Sequence, residues 1–592
     1  MFVGRKALNG ARPGELVVLR PDGRGRGEVV RRLGKADSLS ALMEAILTFY
    51  QVPRAFSPKA QAEADEQAAL SGQEDSGRGD LTGLVSFTID PDEAKDFDDA
   101  ISLVDGPGAG EVTLYVHIAD VSYFVQPGSA LDREAESKAC SVYMPVAVEP
   151  MLPPKLSSDA CSLRAGHDRK CVTVEMVFDW DGREDADQAQ GESASKKSGQ
   201  GVQADADPGS RQLLPKKVRF FRSLIHSRRR LTYNEVDDFF EGVAELSEPG
   251  ELLKPGRDDI DAAGLGELLV RCRRLAGDLR EARHARGALS IQTFEPEFRL
   301  ADDGGVIGVR PRPTSESHAL IEEFMIAANE AVARFLEHRR GNCIYRVHEQ
   351  PDATAVDSLF DLLEDLGVPV PHFSLAGGTP ERAGEAIRGL LRSLPQVLSE
   401  TQRNRSVFGE IVLRSLKQAR YLEDNLGHFG LASEAYLHFT SPIRRYPDLV
   451  VHRALLRELH LEDFSCSRLE LSEVALTSSE NERRAALVER TADDIVLAFL
   501  LDRLLFEEGW DKVFEGEIVS IIPSGLFVRF EECYEGYVPA RHLRGDYYAI
   551  SDTGGALIGR RSGRPFRLGD RLTIRVVRID KLRGKVELEP AR

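Results

Sequence analysis

Between Thr88 and Ala100 the chain reads Thr-Ile-Asp-Pro-Asp-Glu-Ala-Lys-Asp-Phe-Asp-Asp-Ala, which puts five Asp and one Glu beside a single Lys. Two carboxylates about 5 Å apart in water repel by just under ~1 kcal/mol, and by more where the dielectric falls, so something must offset the repulsion. Water does so in a solvated acidic turn, the ordinary fate of a charge run. A divalent cation does so in a phosphoryl-transfer site, where a few carboxylates, water and a substrate phosphate complete an octahedron around magnesium. Two features favour the second reading: the run is bracketed by the apolar segments Leu84–Ile89 and Ala100–Val104, and it is interrupted by Phe97, so it is tethered at a strand end beside a core. A calcium loop fails on its own spacing. Counted from Asp90, the sixth and twelfth positions are Lys95 and Ile101, where an EF-hand needs Gly and Glu. Composition and spacing alone leave the acidic turn and the metal site both open.

The elements around this cluster follow from periodicity. Strands are expected over Glu15–Leu19 and Gly27–Arg31, then a helix over Ser38–Tyr50 with Leu39, Leu42, Ile46 and Phe49 at helical spacing. Gln61–Asp80 is rich in Ala, Glu, Gln, Gly and Asp and reads as a linker, after which Leu84–Ile89 opens a new domain. A polar tract over 181–215 buries too little to offset the cost of ordering its backbone and reads as a disordered surface insertion. Leu320, Phe324, Ala328, Val332 and Phe335 mark an amphipathic helix within 319–340, and Leu471–Phe506 reads as one or two more. After Gly509 short alternating strands (Phe514–Ile522, Gly525–Phe530, Gly536–Pro539, Arg571–Asp580, Lys585–Leu588) predict a small barrel. The expected fold class is α+β, divided as 1–80, 81–509 and 510–592.

Composition sets outer limits. A chain of 592 residues, 42% hydrophobic, can bury a large catalytic core and should hold two to four domains. Its net charge of -19 excludes a histone-like blanket of positive charge, but not nucleic acid, because 541–592 carries 13 Lys+Arg against 6 Asp+Glu. Seven Cys without a C-x-x-C pair fit reduced core thiols in a reducing compartment. No stretch approaches the ~20 apolar residues of a membrane span, and the first ten residues lack a secretory signal's apolar segment, so a soluble, cytoplasmic protein with no membrane partner is expected.

Asp90, Asp96, Asp98 and Asp99, in the arrangement T-I-D-x5-D-x-D-D, resemble the signature of the RNB exoribonuclease family, the ribonuclease II and ribonuclease R enzymes. The resemblance continues in order through His117-Ile-Ala-Asp120-Val-Ser-Tyr123, Tyr143-Met-Pro145, Met151-Leu-Pro-Pro-Lys-Leu-Ser157 and Cys161-Ser-Leu-Arg164. Further along stand Glu322-Glu-Phe-Met-Ile-Ala-Ala-Asn329, His428-Phe-Gly-Leu431 and Thr440-Ser-Pro-Ile-Arg444-Arg-Tyr446, so that it spans roughly 80 to 509. It implies an RNB catalytic domain followed by an all-β OB-fold barrel of the ribosomal-protein-S-one type. It also implies magnesium-dependent, processive 3′-to-5′ hydrolysis of single-stranded RNA to nucleoside 5′-monophosphates, with no small-molecule cofactor.

The same resemblance distributes roles. Asp90, Asp96 and Asp99 would hold magnesium, with Asp98 at the terminal nucleotide or a second metal. Arg444 would contact the phosphate being cleaved, as a planar guanidinium can. Glu489 would stand near that arginine, with Glu482 as a competing helix position. Tyr143 would stack on terminal bases, Tyr233 would line the RNA path, and Glu322 would lie near a ribose. Two departures stand out. Ribonuclease II carries a stacking Phe shortly after a Gly/Ala-Leu pair, whereas Ala288-Leu289-Ser290 is followed here by Ile291, with Phe294 a weak substitute. Ribonuclease R carries two cold-shock-type barrels before its catalytic domain, whereas 80 residues precede Leu81 here. Glu15–Arg54 looks like the tail of the second barrel and its following helix, so the start is expected to be shortened, by truncation or by reduction. The rival readings are a catalytically inactive RNA-binding protein of the same fold and a magnesium-dependent DNA exonuclease. The four Asp with Arg444 speak against the first, and the barrel against the second.

Overall fold

The computed structural model describes residues 2–591 except 24, 74, 181–212, 247–260, 292–294, 302–304, 313–314, 371–377, 401–404, 464 and 544. Nearly all of the polar insertion and Phe294 therefore lie outside the described residues. The chain starts with an antiparallel pair, β1 (Glu15–Pro21) and β2 (Gly27–Lys35), and helix α1 (Leu39–Phe49), whose N-cap Ser38 accepts the Ala41 amide.

Helix α2 (Pro58–Ala68) occupies the first half of the expected linker. Ser57 caps it, Pro58 takes the first turn, and Ala60, Ala64 and Ala68 bury one narrow face against Phe124, Leu131 and Leu156. Small side chains at that spacing carry little apolar area, which is why the segment reads as polar, yet they allow the close approach that packs it.

The next region is built on a six-stranded mixed sheet: β3 (Gly79–Asp80), β4 (Ser86–Asp90), β5 (Asp99–Asp105), β6 (Glu111–Ala119), β9 (Asp168–Asp179) and β10 (Lys217–Thr232), ordered β3-β10-β4-β5-β6-β9. Between β6 and β9 lies a separate hairpin, β7 (Val142–Met144) with β8 (Ala147–Glu149). Strand β10 runs antiparallel to β9 over its first part and parallel to β4 over its last, where Thr232 pairs with Asp90. The ends of β4 and β10 thus meet at one edge of the sheet. Every residue of β4 is buried, as a strand covered on both faces requires. Helices α3 (Tyr233–Phe240), α4 (Ala262–Ala285) and α5 (Glu316–Arg339) cover one face, with Leu269, Leu275, Phe324 and Val332 against Phe87, Leu114 and Val174.

Helix α6 (Tyr446–Glu458) follows the Thr440–Arg445 segment, and α7 (Arg468–Glu508) is a single 41-residue helix with a full capping box at Ser467 and Glu470. The last 80 or so residues close a barrel in the order Val513–Ile522, Gly525–Phe530, Tyr534–Pro539, Lys585–Pro590, Arg571–Asp580. A three-stranded sheet, Tyr548–Ile550 with Ala556–Gly559 and Pro565–Arg567, is inserted into it. The barrel shares one apolar core with α7 and the helices over Ala353–Asp365, Pro380–Glu400 and Arg405–Ser415. All seven Cys are free thiols. No helix among the described residues is long and apolar enough to cross a membrane.

Candidate active site

The acidic run occupies the turn from β4 to β5, and that turn is held from several sides. Arg230, near the end of β10, donates to the Pro91 and Asp92 carbonyls at 2.6 and 2.9 Å, with its guanidinium 5.6 Å from the Phe97 ring centre. Asn234 donates to Asp92 at 2.7 Å. Ser162 accepts the Phe97 amide at 3.1 Å and donates to the Lys95 carbonyl at 2.8 Å, and Leu163 donates to the Phe97 carbonyl at 3.0 Å. The apolar Phe97 is thereby drawn inward, and the carboxylates are held at the edge of the sheet.

Their environment is dry. Asp90 is 9% exposed and Asp98 3%. Burial, then the Asp99 charge, lifts the Asp90 carboxyl to about 7. Burial lifts Asp99 to about 6 against the pull of Arg444 and Arg445. Burial raises Asp98 too, although Arg444 and the Ile443 amide act the other way. Asp98 Oδ1 accepts that amide at 2.8 Å, and its Oδ2 lies 3.3 Å from Arg444 Nε in an ion pair. Neither Asp98 Oδ2 nor Asp90 Oδ2 receives a hydrogen bond.

Arg444 sits on a turn whose Ser441 amide is accepted by the buried Asp448, which also pairs with Arg445 at 2.7 Å. Its side chain is half-exposed, with Nη2 donating to Ser441 Oγ at 3.2 Å. The same turn is stitched to the segment leading into β7: Ser141 donates to the Arg444 carbonyl at 3.0 Å and Tyr446 to the Ala139 carbonyl at 2.8 Å. Tyr143, on β7, bridges the site. Its hydroxyl donates to Asp96 Oδ2 at 2.5 Å, and its amide donates to Glu489 Oε1 at 2.8 Å. Glu489 projects from α7, and burial raises its carboxyl. Glu482, the competing position, is engaged elsewhere, accepting from Arg346 at 2.6 Å.

Tyr233 opens α3 directly after Thr232, the strand partner of Asp90. Its ring stacks on His318 with centres 3.7 Å apart and planes 12° from parallel, and burial, then the Asp99 and Asp90 charges, pushes its phenol up. Glu322 is placed differently. Its half-exposed carboxylate lies 3.5 Å from Arg283 and touches none of the Asp residues, while its neighbour Glu323 is buried on the same guanidinium. Ile291, at the position of the absent aromatic, packs instead against the second apolar core.

Among the described residues no three His, Cys, Asp or Glu side chains converge to cage a cation by themselves. The donor set still fits magnesium, which commonly takes one or two carboxylates and completes its shell with water and substrate phosphate. The buried Asp90 oxygen without a donor, and the raised Asp90 and Asp99 carboxyls, mark the repulsion that a cation would relieve. Sequence reasoning missed Arg230, His318 and Ser162. Ser162 lies inside the Cys161–Arg164 motif, and three consecutive Arg, 228–230, in a strand leading to the site were a readable signal.

Comparison with known proteins shows the family of the chain. Residues 78–460 match the RNB domain model and 509–589 the S1 RNA binding domain model. Ribonuclease R of Thermotoga maritima is 36% identical over 99% of this chain and 76% of its own length. The structure of Mycoplasma genitalium RNase R in complex with ribose methylated single-stranded RNA superposes with a TM-score of 0.81 at 26% identity, over all of this chain and 85% of that one. Yeast Ssd1, a pseudonuclease, shares the fold at 16% identity and a TM-score of 0.61, over 92% of this chain and 61% of its own. With the RNB model covering more than half of the sequence and a ribonuclease R matched along nearly all of it, the chain belongs to the RNB family, among the ribonuclease R enzymes.

Proposed function

We propose that the chain is a magnesium-dependent, processive 3′-to-5′ exoribonuclease that degrades single-stranded RNA in the cytoplasm to nucleoside 5′-monophosphates. The observation that supports the reading is that Tyr143 joins Asp96 to Glu489 and Arg444 pairs with Asp98, while the Asp99 charge acts on Asp90 and the Arg444 charge on Asp99, although these residues stand up to 400 positions apart. Asp90, Asp96 and Asp99 are the residues to hold the cation, which supplies a nucleophilic water and neutralises phosphate charge when bound. Asp98, fixed by the Ile443 amide and paired with Arg444, orients that arginine and stands at the terminal nucleotide or a second cation. Arg444 offers its N–H groups to phosphate oxygens whose charge grows in the transition state. Tyr143 gives the terminal bases a π face without preference for sequence, and Tyr233, backed by His318, lines the path. Glu322, beside Arg283, is assigned to the ribose farther along the strand.

The pseudonuclease relative shows that this fold exists without the chemistry, so the carboxylates must decide between enzyme and binder. Asp98→Asn removes the charge and keeps the volume. It is expected to lower single-turnover hydrolysis by roughly three decades or more while RNA binding persists, since charge at a metal-assisted centre is worth several kcal/mol. A variant that keeps a tenth of the wild-type rate would sink the assignment.

A further inference from the structure

The rim of the site is held by residues near the start of the chain. Hairpin β7–β8 has three residues per strand, too few to hold its shape alone in water. Tyr143 stands partly exposed on it, while Val142 and Met144 on either side are buried. Both belong to one apolar cluster with Leu42, Met43 and Leu47 of α1 and Val488 of α7, next to Glu489. Beside this cluster Lys138 is buried, and its ammonium donates to the Pro53 carbonyl at 2.7 Å, the Arg54 carbonyl at 3.1 Å and Glu149 Oε1 at 2.7 Å. Glu149 is the strand partner of Val142. Arg54 in turn reaches Glu149 at 3.4 Å and pairs with Glu44 on α1. Tyr50, at the end of α1, lies 3.2 Å from the Thr491 hydroxyl, two residues beyond Glu489. A buried ammonium satisfied by three acceptors is a rigid joint, because removing it strands the acceptors away from water.

We infer that Lys138 and Glu149, clamped on the Pro53–Arg54 backbone, form a positioning device that fixes the Tyr143 ring and, through the Tyr143 amide, the Glu489 carboxylate. The start of the chain thereby sets how firmly the RNA 3′ end is gripped. The inference rests on Tyr143 being a stacking platform, as proposed above. Its signature is length-dependent: a short RNA is held by few contacts beyond the platforms, whereas a long one also reaches the barrel.

The test compares kcat/KM on oligoadenylates of about 5 and about 20 nucleotides for the full chain and its Lys138→Met, Lys138→Arg, Glu149→Gln, Tyr143→Ala and Lys138→Met/Tyr143→Ala variants. The readout is the ratio of long to short. Tyr143→Ala is expected to raise it roughly five-fold or more, the loss of one stacked base. Lys138→Met should raise it by a comparable factor, Lys138→Arg should return part of the loss, and the double variant should add little to Tyr143→Ala alone. An unchanged ratio in Lys138→Met, with both rates lowered equally, would make Lys138 a structural residue and overturn the inference, as would an additive double variant. If Tyr143→Ala itself leaves the ratio unchanged, the platform reading fails first. Should Lys138→Met not fold, as thermal unfolding would reveal, Glu149→Gln leaves both carbonyl acceptors in place and must still raise the ratio. A wild-type ratio there also overturns the proposal.

Discussion

The Asp90 and Asp99 carboxyls, at about 7 and about 6, lie above the ~3.9 of an unfolded Asp, so without a cation the folded chain holds protons that the unfolded chain releases. Stability then falls as pH rises from about 4 to about 7, because the unfolded state binds fewer protons across that window. A cation competes with the same protons. Magnesium titrations of activity at pH 5.5, 7 and 8 should therefore give a midpoint that tightens as pH rises, and unfolding in EDTA should show the opposite slope; a midpoint independent of pH would contradict the assignment of these two carboxylates. Arg444→Ala is expected to lower the single-turnover rate roughly 10²- to 10³-fold, the usual cost of one preorganised donor to transition-state charge. A loss of less than threefold would place the arginine outside the chemistry. At this scale the four Asp and Arg444 were named from their motifs, and the structure pairs Arg444 with Asp98. Arg230 and His318 were not, because their parts depend on which strand end and which helix face the fold brings alongside.

Helix α2 shows how an element escapes a reading based on large apolar residues. Its buried stripe is Ala60, Ala64 and Ala68, and the capped start at Ser57-Pro58 was the only other signal. Because Ala64 is fully buried, Ala64→Leu should overpack the α2 contact and cost ~1 to 3 kcal/mol, whereas Asp65→Leu on the exposed face should stay within about 0.5 kcal/mol. Denaturant unfolding of the two variants measures this, and equal costs would deny the helix its buried face. The 41-residue helix α7 was legible as helix but not as one piece, since heptad-like apolar spacing does not reveal whether a break intervenes. The choice between Glu482 and Glu489 was equally closed to periodicity. The two differ in their distant partners, Arg346 for the first and the Tyr143 amide for the second.

The barrel was expected from its alternating strands, and it closes. What its sequence did not reveal is how far it is fused to the rest: Phe514, Val528 and Leu588 share a core with Phe408, Leu501 and Leu505. Removing it would strip cover from those helices, so its contribution to RNA binding is better probed on its surface. Arg560, Arg561 and Arg564 are exposed in the turn that joins two strands of the inserted sheet. If each meets one phosphate, replacing all three with Gln should lower the slope of log affinity against log salt by about 2, at ~0.7 per contact for single strands, in an Asp98→Asn background. An unchanged slope would move the RNA path off this face. The central claim, a 3′-to-5′ hydrolase that selects RNA and depends on a cation at the Asp cluster, is tested most directly with the unmodified full chain. Single-stranded RNA and DNA of one sequence, labelled at the 5′ end, are incubated with magnesium or with EDTA, and the released nucleotides are identified by chromatography. The account predicts stepwise shortening from the 3′ end with release of nucleoside 5′-monophosphates, for RNA with magnesium alone. Cleavage at interior positions, equal loss of DNA, or degradation that persists in EDTA would contradict it.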